Sequence, residues 1–124
     1  AVRLLLHTAA KHWDVVARVA RELVSDDPGN LNAWLARGFA LRELQRVQEA
    51  RDTLLEAEPI HGSGSARLHY DLARYHCVLG ERSCAIDRLA TACRMEPALK
   101  QSALDETDLA SIWGAVDQTG TLTP

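Results

Sequence analysis

This sequence is poor in the residues that staple, break or sharply turn a chain. Its 124 residues include 3 cysteines, 4 prolines and 7 glycines. An odd cysteine count at that density excludes a disulfide scaffold, and a reducing, cytoplasmic setting is expected. No apolar run approaches the ~18 residues of a membrane span. The opening Ala1-Val2-Arg3-Leu4-Leu5-Leu6-His7 is too short and too interrupted for a secretion signal. There is no surplus of basic charge. The net charge is −3 with both signs interspersed, whereas a nucleic-acid or anionic-membrane partner calls for a basic stripe. β-Branched residues are sparse, and nothing alternates with period two over a useful length. The 47% hydrophobic and 25% charged content excludes a disordered chain and suits one soluble domain.

Between the few breaks lie long stretches of Ala, Leu, Arg and Glu, which are strong helix formers. The breaks are Asp26-Asp27-Pro28-Gly29-Asn30, Pro59-Ile60-His61-Gly62-Ser63-Gly64-Ser65, Glu96-Pro97 and the tail from Gln118 to Pro124. Trp13, Val16, Ala20, Leu23 and Val24 recur at helical spacing. Trp34, Gly38, Leu41 and Leu44 do the same, then Val47, Ala50, Leu54 and Leu55. Leu68, Leu72, Tyr75 and Leu79 lead up to Gly80, and Ile86, Leu89, Ala92 and Cys93 follow it. The spacing predicts an all-α chain with its helices in pairs.

The segments also resemble one another. Glu49-Ala50-Arg51-Asp52-Thr53-Leu54-Leu55-Glu56-Ala57 aligns with Cys84-Ala85-Ile86-Asp87-Arg88-Leu89-Ala90-Thr91-Ala92 at an offset of 35, and Val16 to Ala50 is 34. A two-helix period of that length signals a helical repeat. One helix hairpin cannot bury its apolar face alone, so about three must stack and a terminal cap must cover the last. Small residues at Gly38, Ala73, Ala50, Ala85, Ala57 and Ala92 would let the helices approach closely.

These residues resemble the tetratricopeptide repeat, whose pattern runs W-x2-L-G-x2-Y, then A-x3-F, an Ala and a closing Pro. The third unit matches best. Leu72-Ala73 takes the Leu-Gly slot, His76 the Tyr slot and Gly80 the turn; Ala85-Ile86, Leu89 and Ala92 follow, and Met95-Glu96-Pro97 closes it. The second unit offers Trp34, Gly38, Leu41, Ala50, Leu54 and Ala57, but has Arg37 in the Leu slot. The Pro59 to Ser65 loop replaces its closing Pro. The first unit keeps Trp13-Asp14, Val16, Ala20, Leu23 and Asp27-Pro28-Gly29-Asn30, and its first helix opens abruptly at Ala1. The resemblance covers residues 1–97. It implies a right-handed superhelix of about three helix hairpins with a C-terminal capping helix, in a single domain. Residues 1–30 form a partial first repeat, 31–64 the second, 65–98 the third, 99–117 the cap and 118–124 a tail. In the cap, Asp105 or Thr107 is expected to cap the helix start, with Leu109, Ile112 and Trp113 as its apolar stripe. Its Asp-x-x-Asp-Leu phrase followed by an aromatic residue resembles the close of small bacterial proteins of this repeat class.

Several residue groups suggest chemistry and are weighed against structure. Tyr75-His76-Cys77-Val78-Leu79-Gly80-Glu81-Arg82-Ser83-Cys84 carries one His and two Cys, but structural zinc sites want four ligands in close pairs. In the repeat register His76 faces its partner helix, Cys77 a groove, Cys84 the outside and Cys93 the closing segment. These directions diverge, so a metal or redox site is the weakest of three readings. The same geometry disfavours a Cys77–Cys84 disulfide. His61-Gly62-Ser63-Gly64-Ser65 lacks the preceding strand and the Lys of a phosphate loop and reads as a linker whose Ser caps the next helix. The carboxylates read as scattered and solvent-facing, with no pair set apart for acid–base work, and His7, His12 and His69 stand alone. No catalysis, metal or cofactor is expected.

What the resemblance implies instead is a peptide- or helix-binding groove lined by the first helix of each pair. The register puts Leu5, with Thr8 and Ala9, there from the first unit, Leu35, Phe39 and Arg42 from the second, and Arg67, Tyr70, Arg74 and Cys77 from the third. Tyr and Arg are enriched at binding hot spots. The chaperone-binding subclass clamps a C-terminal carboxylate with Asn, Lys and Arg. Here Leu5, Phe39 and Arg74 stand where Asn would be, which disfavours that ligand. An apolar floor with Arg42, Arg67 and Arg74 at one end suits an apolar peptide with an acidic residue or terminus. The expected function is non-catalytic protein–protein interaction with another protein or peptide. The alternative is structural self-association as a homodimer through an exposed N-terminal helix.

Overall fold

The computed structural model describes residues 12–115 and is all-helical over them. The expected first helix, the start of the first repeat and the tail lie outside the described residues. The chain divides into two compact units, residues 1–61 and 62–124. None of the described helices is long and apolar enough to cross a membrane.

In the first unit, α1 (Trp13–Asp26), α2 (Leu31–Glu43) and α3 (Val47–His61) pack consecutively, α1 on α2 and α2 on α3. The apolar stripe of α1 is real: Val16 and Ala20 are fully buried. The helix ends as Asp27 N–H donates to the Leu23 carbonyl. The Asp27 carboxylate then accepts from Gly29 N–H, an Asx turn that redirects the chain. The Pro28 carbonyl in that turn is held by Trp34 Nε1–H at 2.8 Å and by His61 Nε2 at 3.0 Å. This anchoring accounts for one departure from expectation. The loop expected from Pro59 begins only at Gly62, because α3 runs through Pro59 to His61. Proline keeps a helical φ but removes one helical hydrogen bond and crowds the preceding turn; here it falls in the last turn, whose terminal His61 is fastened to the turn at Pro28.

In the second unit, α4 (Ala66–Val78) begins at an N-cap, Ser65, whose hydroxyl accepts from Leu68 N–H. It is followed by α5 (Arg82–Met95), a short α6 (Leu99–Asp105) and a 3-10 helix, Thr107–Ala115. Helix α4 is the centre of this unit, and every residue from Leu68 to Cys77 is buried. Around it a core joins Tyr70, Ala73 and Cys77 to Ile86 and Leu89 of α5 and to Leu109 and Ile112 of the 3-10 helix. Fully burying side chains such as Leu109 and Ile112 contributes about 1.5–3 kcal/mol each.

The closing element is a short α-helix and then a 3-10 helix, where one capping α-helix was expected. At three residues per turn, side chains three apart eclipse. Leu109 and Ile112 thereby share one face, and Asp108 and Ser111 share another that meets Arg74 and Cys77 of α4. Neither Asp105 nor Thr107 caps its start; Glu106 does, its carboxylate accepting from Asp108 N–H.

The two hairpins turn alike. Gly80 has φ 81° and Gln45, 35 residues earlier, has φ 64°. Arg46 N–H donates to the Leu41 carbonyl and Glu81 N–H to that of His76, both at 2.8 Å. Each helix thus ends in the same left-handed closure. The small residues at equivalent positions are buried to the same degree, with Ala50 and Ala85, and Ala57 and Ala92, all at 0% exposure.

Candidate interaction surface

The groove residues expected from sequence meet different fates. Leu5, Thr8 and Ala9 lie outside the described residues. In the first unit Leu35, Phe39 and Arg42 lie on α2, all half-buried. Phe39 meets Trp13 of α1 edge-on, with ring centroids 5.3 Å apart and planes at 75°. Among the described residues Leu35, Phe39 and Arg42 each keep part of their surface accessible.

In the second unit Arg67, Tyr70, Arg74 and Cys77 share one face of α4, and only Arg67 is exposed. The 3-10 helix packs on that helix. Arg74 is 5% exposed, its Nη1 lying 3.3 Å from Asp71 Oδ1 and its Nη2 3.2 Å from Asp108 Oδ2. Its Nε is 3.6 Å from Glu106 Oε2, an ion-pair distance too long for a hydrogen bond. Arg67 adds a second cation to Asp71 at 3.2 Å, and its guanidinium lies over the Tyr70 ring, 5.2 Å from the centroid. Cys77 Sγ is 2.9 Å from Ser111 Oγ, and Arg82 donates to the Ser111 carbonyl. Arg74 and Cys77 are therefore engaged by the chain's own C-terminal segment.

Burial pushes the Asp71 carboxyl above its ordinary value, a rise only partly countered by Arg67 and Arg74. Burial pulls the other way on Arg74, but Asp71, Tyr75, Glu106 and Asp108 outweigh it and hold the cation. One guanidinium serves several acids, and Asp71 is the most enclosed of them. Tyr75 packs under the same group, with the Arg74 guanidinium 5.8 Å from its ring centre. Its hydroxyl is buried without a hydrogen-bond partner among the described residues.

The histidines and cysteines resolve into structural parts. His76 Nδ1 is 2.7 Å from the Glu81 carboxylate across the turn. His69 is buried; Arg88 can only donate to its Nδ1, so Nε2 carries the proton and donates to the Gly62 carbonyl at 2.7 Å. That bond ties down the Gly62–Ser65 linker. All three cysteines are free, with Cys77 buried and Cys84 exposed, and burial raises the Cys93 thiol above its ordinary value. Among the described residues no group of three His, Cys, Asp or Glu is gathered for a metal ion.

Two features escaped the sequence reading. The carboxylates are not all solvent-facing, since Asp71 is 3% exposed. The available signal was its position between Tyr70 and Leu72, inside a run otherwise read as core. The other feature is a recess in the first unit lined by arginines from α1, from α2 and from the turn before α3. Its signal was Arg37, which stands 35 residues before the core residue Leu72. No protein-family model matches the chain, and a search of curated proteins finds no match.

Proposed function

We propose that this chain is a tetratricopeptide-type, non-catalytic protein-interaction module that holds an apolar peptide segment on the α2 face of its first unit. The family reading rests on the recurrence of one hairpin design. The left-handed turn residues Gln45 and Gly80 stand 35 apart, with small, buried residues at matching places on either side. The binding reading rests on the half-buried Leu35, Phe39 and Arg42, which present apolar area beside a cation. In the second unit the equivalent face is covered by the 3-10 helix, so Tyr70, Arg74 and Cys77 are assigned to holding that segment.

Selecting peptides from a display library against the full chain, then measuring one of them against Leu35→Glu/Arg42→Glu, tests the site. Affinity should fall tenfold or more with helicity by circular dichroism unchanged. Equal affinity in the variant would remove the α2 face from the proposal.

A further inference from the structure

Away from the α2 face, the first unit contains a second concavity, of about 170 Å³. Its walls carry Arg18 and Arg21 of α1, Arg37 of α2 and Arg46 of the following turn. Its floor is apolar, formed by the buried Ala17 and Leu41. Asp14 is the carboxylate on the lining. Of the four arginines, only Arg46 has an ion-pair partner among the described residues, Glu49. Counting Asp14, Glu49 and also Glu56, which lies near Arg37, the recess still keeps a positive surplus.

Arg37 makes the arrangement unusual. The equivalent residue of the next hairpin is Leu72, fully buried, and the repeat pattern also asks for leucine. A half-buried guanidinium stands at the place of a core side chain, beside three further arginines. Burial lowers its proton affinity first, and repulsion from Arg21 and Arg46 adds to this against the pull of Glu56 and Glu49. This is a cost to the empty fold that an anion in the recess would relieve.

The geometry points to a binding site for a phosphate monoester in the recess between Arg18, Arg21, Arg37 and Arg46. Size supports a small group, since drug-sized ligands need roughly 300–1,000 Å³. Charge and shape support phosphate. Guanidinium forks match phosphate oxygens in pairs, and a tetrahedral dianion accepts such forks from several sides at once, where a flat carboxylate carries one charge. The apolar floor keeps water from one side of the half-buried Arg37 and strengthens its contact most. The ester is either a phosphorylated side chain of a partner or a small phosphorylated molecule; the chemistry is the same.

The test uses the full chain with isotope-labelled arginine, titrated at constant ionic strength set by chloride. One titrant is inorganic phosphate; the others are a serine peptide and its phosphoserine form. Saturable shifts of the Arg21 and Arg37 side-chain resonances are expected with phosphate. Affinity should weaken tenfold or more in Arg21→Gln and in Arg18→Gln, two exposed positions, with circular dichroism unchanged. Phosphopeptide binding tighter than phosphate assigns the source to a partner side chain, and equal binding assigns a free ester. Shifts no larger with phosphate than with chloride, or unchanged affinity in both variants, overturn the site.

Discussion

Phe39 and Arg74 occupy the same place in two successive hairpins and are stabilised by opposite physics. In the first unit an aromatic ring lies edge-on to Trp13 and keeps part of its surface accessible. In the second a guanidinium is sealed among Asp71, Asp108 and Glu106 by a 3-10 helix. Two positions back, the exchange is reversed, because Arg37 stands where the second unit buries Leu72. One backbone design therefore carries its charge on different faces. The apolar α2 face is the one proposed for an outside ligand, while the charged α4 face holds the 3-10 segment.

The largest expected effect comes from removing the sealed charge. Arg74→Ala removes the guanidinium that Asp71 and Asp108 share, leaving Asp71 with the exposed Arg67, and should cost about 3 kcal/mol. Amide exchange should show the loss in α4 and in the 3-10 helix. Replacing Asp71 as well by an apolar residue should recover the share of the loss that comes from its own buried charge, and leave the share that comes from Asp108. The matching Phe39→Ala change should cost about 2 kcal/mol, from the aromatic pair and the buried part of the ring together. Equal losses at the two positions would mean that Arg74 acts as packing alone.

Tyr75 provides the next contrast, since its counterpart in the first unit is Ala40. A buried hydroxyl with no partner opposes folding, so Tyr75→Phe should gain about 1 kcal/mol. Its pH dependence has a definite sign. Burial raises the phenol well above its ordinary value of 10.0, with Asp71 adding to the rise. A raised folded value gives stability that is complete below the unfolded value and is lost as pH rises beyond it. Denaturation midpoints should therefore fall above about pH 10 in the wild type, and less so in Tyr75→Phe.

The turns differ by one residue. Gln45 holds a left-handed φ that Gly80 adopts without a Cβ. Gln45→Gly should stabilise by about 0.5 kcal/mol, because the relieved strain exceeds the entropy that glycine adds to the unfolded chain. The smallest effect is expected at the recess. Arg37→Leu matches the residue of the second hairpin and should raise the unfolding free energy by less than about 0.5 kcal/mol while weakening phosphate binding. A loss of stability would show that Arg37 supports the first unit and that relief by an anion is not its role.

Much of this was legible in the chain. The apolar stripes at Val16 and Ala20, and at Leu68 and Leu72, are buried as their spacing predicts, because amphipathic period alone decides which side of a helix leaves water. Ser65 was legible as a cap and Gly80 as a turn, both through local backbone chemistry. The site was less so. Arg74 reads on a helical wheel as an outward groove residue; what buries it is Asp108, 34 residues along the chain.

Helical class, pairing and the repeat period follow from the sequence by itself, because they depend on neighbours within a few turns and on recurrence at a fixed offset. Tertiary structure alone decided that α3 carries on through Pro59, fastened by His61 to the turn at Pro28. It alone made the last segment a 3-10 helix matched to Arg74 and Cys77, and gathered Arg18, Arg21, Arg37 and Arg46 about one recess. Each of these is a meeting of residues distant in the chain, and its energy depends on burial and charge proximity that no local pattern encodes.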